Sequence, residues 1–364
     1  MSRGEKLLPN KTLALKQKQL ALFSIESCIG NSLLDHDQLP RFLHGRNNKV
    51  LTAAQHAELP YRQVTLSDGE VFQIKPAEIE EPTAEGEAIK RKYIYPGTRE
   101  SIVEEAVVDF AKNGEFSWDV GEAGYVYDGS GALKVLFTMY SLRKHLKERG
   151  KEYKFTELRE ALSVLLGARY KRFFAGEISV GNSVFSSARK EFHYLTAIGT
   201  LSTDDKIDSP VKASDVIEVT LSNEATQKIL AGDYRTYDSM LSLSMDSPVA
   251  RYIYKTLSQK WLNVNTKGEA GMHYEIRQNE TISDAGYPLS NQATKRNNTM
   301  ISAIDELTRK GVIEPLKSVH VVEQKRGRKI IEVKMLVFPT QDFVDQQISA
   351  SIRKKKISSE MKKM

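Results

Sequence analysis

The sequence predicts an α+β protein whose two C-terminal units follow the same order of elements. Between residues 246 and 339, three amphipathic helical stretches precede a strand pattern that turns on a basic segment. Between about residues 95 and 240, helical stretches again precede a strand pattern. No obvious sequence identity links the two stretches, so the predicted repeat is one of architecture. Residues 1–90 predict a small N-terminal accessory module in front of both units.

Helical patterns open the second unit. The predicted helices span residues 246–261, 281–286 and 295–310. Apolar residues recur at four-residue spacing in the first helix, which places them on one face. The predicted inward residues of the third helix are Ile301, Ile304 and Leu307. Asp246 or Ser247 suits the N-cap of the first helix, and Pro248 its first position. Gly311 suits the end of the third helix.

A period-two pattern follows the third helix and predicts a β-hairpin. Apolar and polar residues alternate over residues 319–337, on both sides of four cations that surround Gly327. Three helices followed by a hairpin with a basic tip are typical of a winged-helix domain. In such a domain the third helix enters the major groove, and the hairpin lies along the backbone or the minor groove. We therefore predict a winged-helix domain over residues 244–340.

Residues 91–243 predict a first winged-helix domain of the same kind, so the fold is two tandem winged-helix domains. The predicted helices span residues 98–110, 133–148, 155–166 and 183–198, and the predicted strands span residues 125–127 and 216–221. The last of these helices has the role of the third, polar-faced helix, because its apolar residues recur at helical spacing and its other side is polar.

The two ends of the chain predict less structure. Residues 11–29 and 52–58 predict helices, and residues 61–75 predict a hairpin around Asp68-Gly69. Residues 76–87 carry two prolines and five glutamates and predict an acidic linker, which closes the accessory module of residues 1–90. Residues 341–364 predict a basic C-terminal tail that is frayed in solution.

Composition and charge indicate a globular protein with local basic patches. The chain is 40% hydrophobic and 27% charged, and its net charge is +6. No apolar run is long enough to cross a bilayer, no export signal is visible at the N-terminus, and the single cysteine, Cys28, excludes an internal disulfide. The sequence therefore predicts a cytoplasmic protein without a membrane partner, whose basic patches suit a polyphosphate partner.

Three residue patterns of catalytic and metal centres are absent from the sequence, while a carboxylate nuclease site stays open because Asp and Glu are abundant. The segment 129–134 lacks the spacing of a phosphate-binding loop. None of the seven histidines pairs with another at metal-ligand spacing. Enzymes that nick DNA use two histidines around one residue beside a tyrosine nucleophile, and no His-x-His occurs here; Tyr252 and Tyr254 are interpreted as packing residues. We therefore expect no catalytic residue, no metal and no cofactor.

The candidate DNA-binding residues of the second unit lie at the start of its third helix and at the hairpin tip. Those of the helix are Asn291, Thr294, Lys295, Arg296, Asn297, Asn298 and Ser302. Those of the tip are Lys325, Arg326, Arg328 and Lys329. On the helix, asparagine can bind adenine and arginine can bind guanine through two hydrogen bonds. At the tip, four close cations repel one another, and nearby phosphates would relieve that repulsion. The alternatives are a solvated helix start and a charged turn that keeps the hairpin soluble.

The first unit carries a second set of candidates for phosphate contact. They are Arg169, Lys171, Arg172, Ser186, Ser187, Arg189 and Lys190. A solvated, charged surface is the alternative interpretation of these residues. The lysines of the C-terminal tail are likewise open to two interpretations, as phosphate contacts or as a solubilising end.

Two short segments carry a family resemblance. Residues 95–106, Tyr-Pro-Gly-Thr-Arg-Glu-Ser-Ile-Val-Glu-Glu-Ala, resemble the start of the first winged helix in RepA-like replication initiators of bacterial plasmids. Residues 246–257, Asp-Ser-Pro-Val-Ala-Arg-Tyr-Ile-Tyr-Lys-Thr-Leu, are similar to the helix that opens their second one. The Leu-Ser-x-x-Ala-x-x-x-Ile pattern of residues 221–229 and the bridge of residues 232–241 are similar as well. The resemblance covers about residues 92–340.

The resemblance implies a theta-type initiator. Such proteins bind directly repeated double-stranded sites (iterons) at an origin, in several copies, and recruit the host initiator and replicative helicase. Many also repress their own promoter as homodimers. On this chain, the helix of residues 295–302 would read one major groove, and residues 186–190 would touch another about one turn away. A winged-helix transcriptional repressor and an enzyme such as a nickase or transposase are the alternatives.

Overall fold

The structure is a computed structural model that describes most of the chain. The described residues are 29–33, 39–45, 50–66, 70–81, 90–111, 123–127, 132–180, 183–201, 215–231, 234–260, 273–315, 320–326 and 329–362. The predicted helix over residues 11–29 and the turn at Asp68-Gly69 lie outside these ranges, apart from Ile29.

The fold is α+β, because the strands occur in groups between the helices and every strand pairing within the described residues is antiparallel. The helices are α1 (Ala53–Glu58), α2 (Thr98–Phe110), α3 (Met139–Glu148), α4 (Phe155–Gly167), α5 (Asn223–Ala231), α6 (Ser239–Ser244), α7 (Pro248–Lys260), α8 (Gln278–Asp284), α9 (Ala293–Arg309) and α10 (Gln341–Lys362). The strands are β1 (Ile29–Leu33), β2 (Arg62–Thr65), β3 (Val71–Lys75), β4 (Ala77–Glu81), β5 (Lys90–Ile94), β6 (Gly124–Tyr127), β7 (Leu133–Thr138), β8 (Arg169–Val180), β9 (Ser183–His193), β10 (Leu195–Leu201), β11 (Val216–Leu221), β12 (Tyr234–Asp238), β13 (Tyr274–Arg277), β14 (His320–Arg326) and β15 (Lys329–Val337).

Two units of the fold repeat one order of elements. The first unit runs α2, β7, α3, α4, β10, β11, and its sheet has the order β10-β11-β7 with β6 beyond β7. The second unit runs α7, β13, α8, α9, β14, β15, and its sheet has the order β13-β15-β14. If β6 is left aside, each sheet has three strands. In both sheets the strand that comes last in the sequence (β11 or β15) lies between the other two. The described residues thus contain a repeated order of elements, although the third helix of the first unit is not at residues 183–198 as predicted.

The predicted helix over residues 183–198 is wrong, because these residues form β9 and the start of β10. Val184, Ala188 and Phe192 satisfy a period of two as well as a helical spacing, so the local pattern does not distinguish the two structures. Tertiary pairing decides: β9 pairs with β8 over nearly its whole length. The hairpin β8–β9 is inserted between α4 and β10, and α4 is the third helix of the first unit.

The predicted helix over residues 133–148 is only partly correct. Leu133–Thr138 is strand β7, which pairs with β6 on one side and β11 on the other. Its apolar residues are buried, as in a central strand. The helix α3 begins at Met139, because the hydroxyl of Thr138 accepts a hydrogen bond from the N–H of Ser141 at 3.0 Å and caps it.

Two segments at the ends of the chain are more ordered than the sequence predicts. Ala77–Glu81, part of the predicted acidic linker, is strand β4, and Arg91 on the paired strand β5 lies 3.1 Å from Glu78. Residues 341–362, predicted as a frayed tail, form helix α10. Phe343 is buried there against Tyr254 of α7, with 5.9 Å between ring centroids, and this packing gives the helix its anchor.

The core of the first unit extends across the predicted boundary at residue 90. The hairpin β2–β3 joins β8 and β9 in a four-stranded sheet. Phe72 and Ile74 of β3 belong to the same buried cluster as Val103 of α2 and Leu165 of α4. The division of the chain into domains stays a prediction, while residues on both sides of residue 90 share one core.

The other predicted elements agree with the structure. The predictions over residues 98–110, 155–166 and 246–261 correspond to α2, α4 and α7, and the hairpin over residues 61–75 corresponds to β2–β3. Gly311 ends α9 with a φ of 70°, while the N–H of Val312 donates to the carbonyl of Leu307 at 3.0 Å. Within the described ranges, no helix is long and apolar enough to cross a membrane.

Helix α2 carries three acidic residues that are partnered from other parts of the fold. They are Glu104, Glu105 and Asp109. Arg41 donates two hydrogen bonds to Glu104, at 2.8 and 2.9 Å, and both side chains are buried. Asp109 lies 3.5 Å from Arg149 and 3.2 Å from Ser239 Oγ. Because a buried carboxylate is stable only when it is paired, these partners hold the surrounding segments on α2.

The same helix carries the contact between the two units. Glu105 lies 2.9 Å from Lys255 of α7 and accepts a hydrogen bond from Tyr237 at 2.8 Å. Ser101 of α2 accepts a hydrogen bond from Arg251 of α7 at 2.7 Å. The first helix of one unit therefore lies against the first helix of the other.

Replacing Arg41 with alanine should destabilise the protein strongly. The change leaves Glu104 buried without its cation, which typically costs about 3–5 kcal/mol. Urea denaturation measures the loss in the free energy of unfolding. As a control, Arg91→Ala removes a half-exposed pair with Glu78 and should cost less than about 1 kcal/mol. Equal losses for the two variants would contradict the role given to Arg41.

Candidate nucleic-acid interface

Helix α9 has one buried face and one exposed polar face. The buried residues are Met300, Ala303, Ile304, Glu306 and Leu307. Ile301 was predicted to face inward but is 40% exposed. Its position follows from the spacing: Ile301 lies three residues after the exposed Asn298, which places both on the outer side of the helix.

Five of the seven predicted candidates at the start of this helix are exposed, and we call them the α9 face. Its residues are Asn291, Thr294, Lys295, Asn298 and Ser302. The last four recur at helical spacing and share one side of α9, whereas Asn291 precedes the N-cap Gln292. The set offers amide, hydroxyl and ammonium groups, which suit the base edges and phosphates of a duplex.

The other two candidates, Arg296 and Asn297, are half-buried and engaged within the protein. Arg296 donates from Nη1 to the backbone carbonyl of Ser290 at 2.7 Å. Asn297 Oδ1 accepts a hydrogen bond from Nε2 of Gln278, a buried residue of α8, at 2.8 Å. These bonds fix the start of α9 on the preceding loop and on α8, so both residues position the α9 face.

The N-terminal end of α9 favours negative charge. Gln292 occupies the N-cap without a side-chain hydrogen bond to the helix, and the first turn contains no acidic residue. The backbone N–H groups of a helix start, together with the helix dipole, attract anions such as phosphate. Lys295 in the first turn adds a full positive charge.

The hairpin β14–β15 brings like charges to directly opposite positions near its tip. Arg326 is paired with Lys329, and a register shift precedes the pairing of Lys325 with Ile330. Like charges at opposite strand positions are destabilising, so an external anion would relieve this repulsion. Arg328 and Gly327, which complete the predicted tip, lie outside the described residues.

Hydrogen bonds connect the hairpin to the helices that support the α9 face. Glu332 of β15 accepts a hydrogen bond from the backbone N–H of Asn279 in α8 at 3.0 Å. Lys334 of β15 lies 3.0 Å from Glu275 of β13, and hydrogen bonds from Arg277 and Lys334 lower the pKa of Glu275. Since α8 also holds Asn297, the hairpin and the α9 face share one support.

Three of the predicted cations in the first unit are matched by carboxylates on neighbouring strands or just before one. Arg172 donates two hydrogen bonds to Glu70, at 2.8 and 3.0 Å. Lys171 and Arg169 lie 3.3 and 3.9 Å from Glu191 of β9. For these three residues the charged, solvated surface is the better interpretation, because each cation already has an anionic neighbour.

The other predicted residues of the first unit lie on strand β9. They are Ser186, Ser187, Arg189 and Lys190. The expectation that they lie on a helix is wrong, and with it the expectation that this helix enters a groove. Arg189 and Lys190 are exposed on the strand.

Sequence reasoning predicted the helix of the first unit that corresponds to α9 but did not give it that role. By order of elements this helix is α4, whose exposed residues include Thr156, Arg159 and Ser163. Their spacing of three and four residues was visible in the sequence. The assignment of residues 183–198 as the third helix drew attention away from it. The corresponding hairpin is β10–β11, whose connecting residues 202–214 lie outside the described ranges.

Comparison with known proteins gives structural likeness only. No family model and no curated protein matches the chain. The fold is similar to a crystal structure of selenomethionine derivatives of domains 2 and 3 of RctB, with 14% identity, a TM-score of 0.44, and coverage of 89% of this chain and 98% of that one. A second crystal structure of RctB domains 2–3 has 12% identity, a TM-score of 0.43, and coverage of 86% and 98%. At these values the likeness carries no argument about function.

Replacing Asn297 with alanine should lower stability, while replacing its neighbour Asn298 should not. Loss of the side-chain carbonyl of Asn297 leaves the Gln278 amide buried without its acceptor, which typically costs about 1–3 kcal/mol. Asn298 is exposed, and its replacement should change the free energy of unfolding by less than about 0.5 kcal/mol. Urea denaturation of the two variants compares them directly. A stable Asn297→Ala protein would contradict the positioning role.

Proposed function

We propose that the second unit is a winged-helix domain that binds double-stranded DNA in a sequence-specific way. The observation that carries the proposal is the exposed polar α9 face together with a hairpin that is held by the same helix, α8, and whose end pairs two basic residues. In this proposal α9 is the recognition helix and β14–β15 is the wing. Helix–helix pairs of this kind insert their second helix into the major groove, where base edges are distinguishable.

Different residues of the α9 face would contact different groups of the duplex. Asn298 suits adenine, which asparagine binds through two hydrogen bonds, and Lys295 suits guanine or a phosphate. Thr294 and Ser302 suit either a base or a phosphate. Arg296 was a candidate for guanine, but its bond to the Ser290 carbonyl favours a positioning role.

The hairpin tip would supply affinity that does not depend on sequence. Phosphate contacts by lysine and arginine release counterions from the duplex, so binding weakens as salt rises. Lys325, Arg326, Arg328 and Lys329 are the residues we assign to these contacts. Such contacts fix the register of the protein on the duplex, while the α9 face distinguishes one sequence from another.

We propose that the first unit is a second winged-helix domain with α4 as its groove-facing helix. The support is the shared order of elements and the shared strand order of the two sheets. The exposed cations Arg189 and Lys190 on the inserted hairpin would add phosphate contacts beside α4. One molecule would then touch two segments of a duplex about one helical turn apart.

At the level of the cell, we propose a replication initiator that binds repeated origin sites. The two segments that resemble RepA-like initiators contain the starts of α2 and α7, the corresponding first helices of the two units. Several copies on directly repeated sites, or a homodimer on the gene's own promoter, would act by binding, without catalysis and without a cofactor. Binding at an origin would bring the host initiator and helicase to DNA in the cytoplasm.

The test is to place the gene with its flanking DNA on a vector that has no other origin. Autonomous replication, together with protection of direct repeats in a footprint, is the expected result. Protection of a single inverted repeat in the promoter, without replication, would favour the repressor instead. Nicked product from supercoiled DNA incubated with protein and a divalent metal would contradict the proposal that no catalytic step occurs.

Replacing Asn298 and Arg326 should affect DNA binding in different ways. Asn298→Ala should cost about 1–3 kcal/mol on a duplex that the protein selects, and nothing on random DNA, because it removes a base contact. Arg326→Ala should weaken binding to both duplexes and reduce the salt slope by about 0.9, because it removes one phosphate contact. Fluorescence anisotropy over a range of salt concentrations measures both effects.

Arg309→Ala is the matched control for a lost cation on the second unit. Arg309 is exposed in the last turn of α9, far from the first turn. Its replacement should leave both the affinity and the salt slope nearly unchanged. If all three variants lose affinity equally, the α9 face and the hairpin tip are not the DNA surface.

A further inference from the structure

We infer that residues 39–44 form a strap that fixes the angle between the two units, so that the protein recognises its two DNA segments at one spacing only. The consequence for DNA rests on the proposed function, whereas the effect on the angle can be measured without DNA. The strap belongs to the part of the chain in which sequence reasoning found no element and no resemblance.

The strap is anchored in the core of the first unit. Arg41, Phe42 and Leu43 are 3%, 8% and 4% exposed. Arg41 is paired with Glu104 of α2, and its carbonyl accepts a hydrogen bond from the hydroxyl of Tyr194. The ring of Phe42 lies 5.2 Å from that of Tyr194. These contacts leave the strap little freedom relative to α2.

The end of the strap contacts the second unit. The backbone N–H of His44 donates to the carbonyl of Gly286 at 3.0 Å, just after α8. The His44 ring stacks on Tyr287, with 6.0 Å between ring centroids, and its Nδ1 lies 2.8 Å from Thr98 Oγ1 at the start of α2. His44 therefore touches both units at once. Burial, and then the charge of Arg251, lower the pKa of His44 to about 3, so the ring is neutral near pH 7.

The approach of the strap to α8 is too close for any side chain at position 286. Gly286 has a φ of 75°, and a Cβ built on it would lie 1.9 Å from the carbonyl oxygen of Phe42. Glycine is thus required at position 286 for two reasons: the backbone there is left-handed, and the strap leaves no room for a Cβ. Since α8 supports α9 through Gln278, the strap acts on the element that positions the α9 face.

The strap is one of several attachments between the units in the described residues. Another is the contact of α2 with α7 described above. Others join Lys151 to Asp246 and Ser283 to the backbone carbonyl of Thr65. A cavity of about 90 Å³ lies between the strap and the α2–α7 contact and is lined by the strap, α2, α7 and the end of α8. The strap and the α2–α7 contact therefore oppose rotation from two sides of this cavity. Since the contacts of Lys151 and Ser283 are each made by one side chain, removing the strap should loosen the angle between the units.

A fixed angle restricts the DNA sites that one molecule can bind. One turn of B-DNA spans about 10–10.5 base pairs, so five inserted base pairs move the second segment to the opposite face of the duplex. A rigid protein loses one set of contacts on such a duplex. A protein that can rotate between its units retains part of them.

The test uses Gly286→Ala, with Gly311→Ala as the matched control. Both glycines follow a helix of the second unit with a positive φ, but a Cβ at Gly311 would meet nothing within 4 Å. The two variants therefore share the backbone strain and differ in the clash with the strap. His44→Ala is the second strap variant, and it serves if Gly286→Ala does not fold. Each full-length variant is first checked for cooperative urea unfolding.

The first measurement is the distance between spin labels on the two units, without DNA. Labels on cysteines placed at Lys147 of α3 and Asp305 of α9, both exposed, report on the first and second units in a Cys28→Ser protein. We expect one narrow distance distribution for the wild type and Gly311→Ala, and a broader one for Gly286→Ala and His44→Ala. Strap variants with the narrow distribution of the wild type would overturn the inference.

The second measurement is the affinity for duplexes with inserted base pairs. The wild type first selects a duplex from a randomised pool, and footprinting locates its two protected segments. With five base pairs inserted between them, the wild type and Gly311→Ala should lose about tenfold or more in affinity, and the strap variants less than about threefold. If the wild type and the strap variants lose affinity equally, the inference that the strap restricts the protein to one spacing of the two DNA segments is overturned. If no duplex is selected, the proposed function fails, and the distance measurement still decides whether the strap fixes the angle.

Discussion

The pairing of buried carboxylates on α2 is the constraint on which the rest of the structure depends. Removing a carboxylate from water costs several kcal/mol, so each acid on this helix requires a partner in place. The partners come from distant parts of the chain: Arg41 for Glu104, Lys255 for Glu105, and Arg149 near Asp109. The first helix of one unit thereby determines where residues near 41, the helix α3 and the second unit lie.

This constraint connects the core to the proposed DNA surface by a short series of contacts. Helix α2 holds the strap and α7; the strap meets the end of α8; and α8 holds both the start of α9 and strand β15. The exposed side chains on α9 have few neighbours of their own. Their positions are therefore set by buried groups elsewhere, and a change at Glu104 or Gly286 should alter the proposed DNA surface without lying in it.

The sequence predicted those elements whose pattern is local. Helix α2 has an apolar spacing that fits only a helix, α7 adds a proline at its first position, and β14–β15 has a period of two around a glycine. The residues of β9 fit both periods, and their strand partner β8 decided between them. On α9, the exposed candidates were predicted correctly as surface residues, whereas the engagement of Arg296 and Asn297 depends on Ser290 and on Gln278, which no spacing reveals. The strap has no periodicity at all, so only tertiary contacts identify it.

The pairing of β1 with β12 has a consequence for the nascent chain. Leu33 pairs with Tyr234 and Ile29 with Asp238, so about 200 residues separate the two strands. At a synthesis rate of about 5–20 residues per second, β1 leaves the ribosome roughly 10–40 s before its partner exists. Throughout that interval its backbone groups are available to chaperones or to another emerging strand. The first unit is thus completed only when the ribosome has begun the second, which ties the folding of the two units to the order of translation.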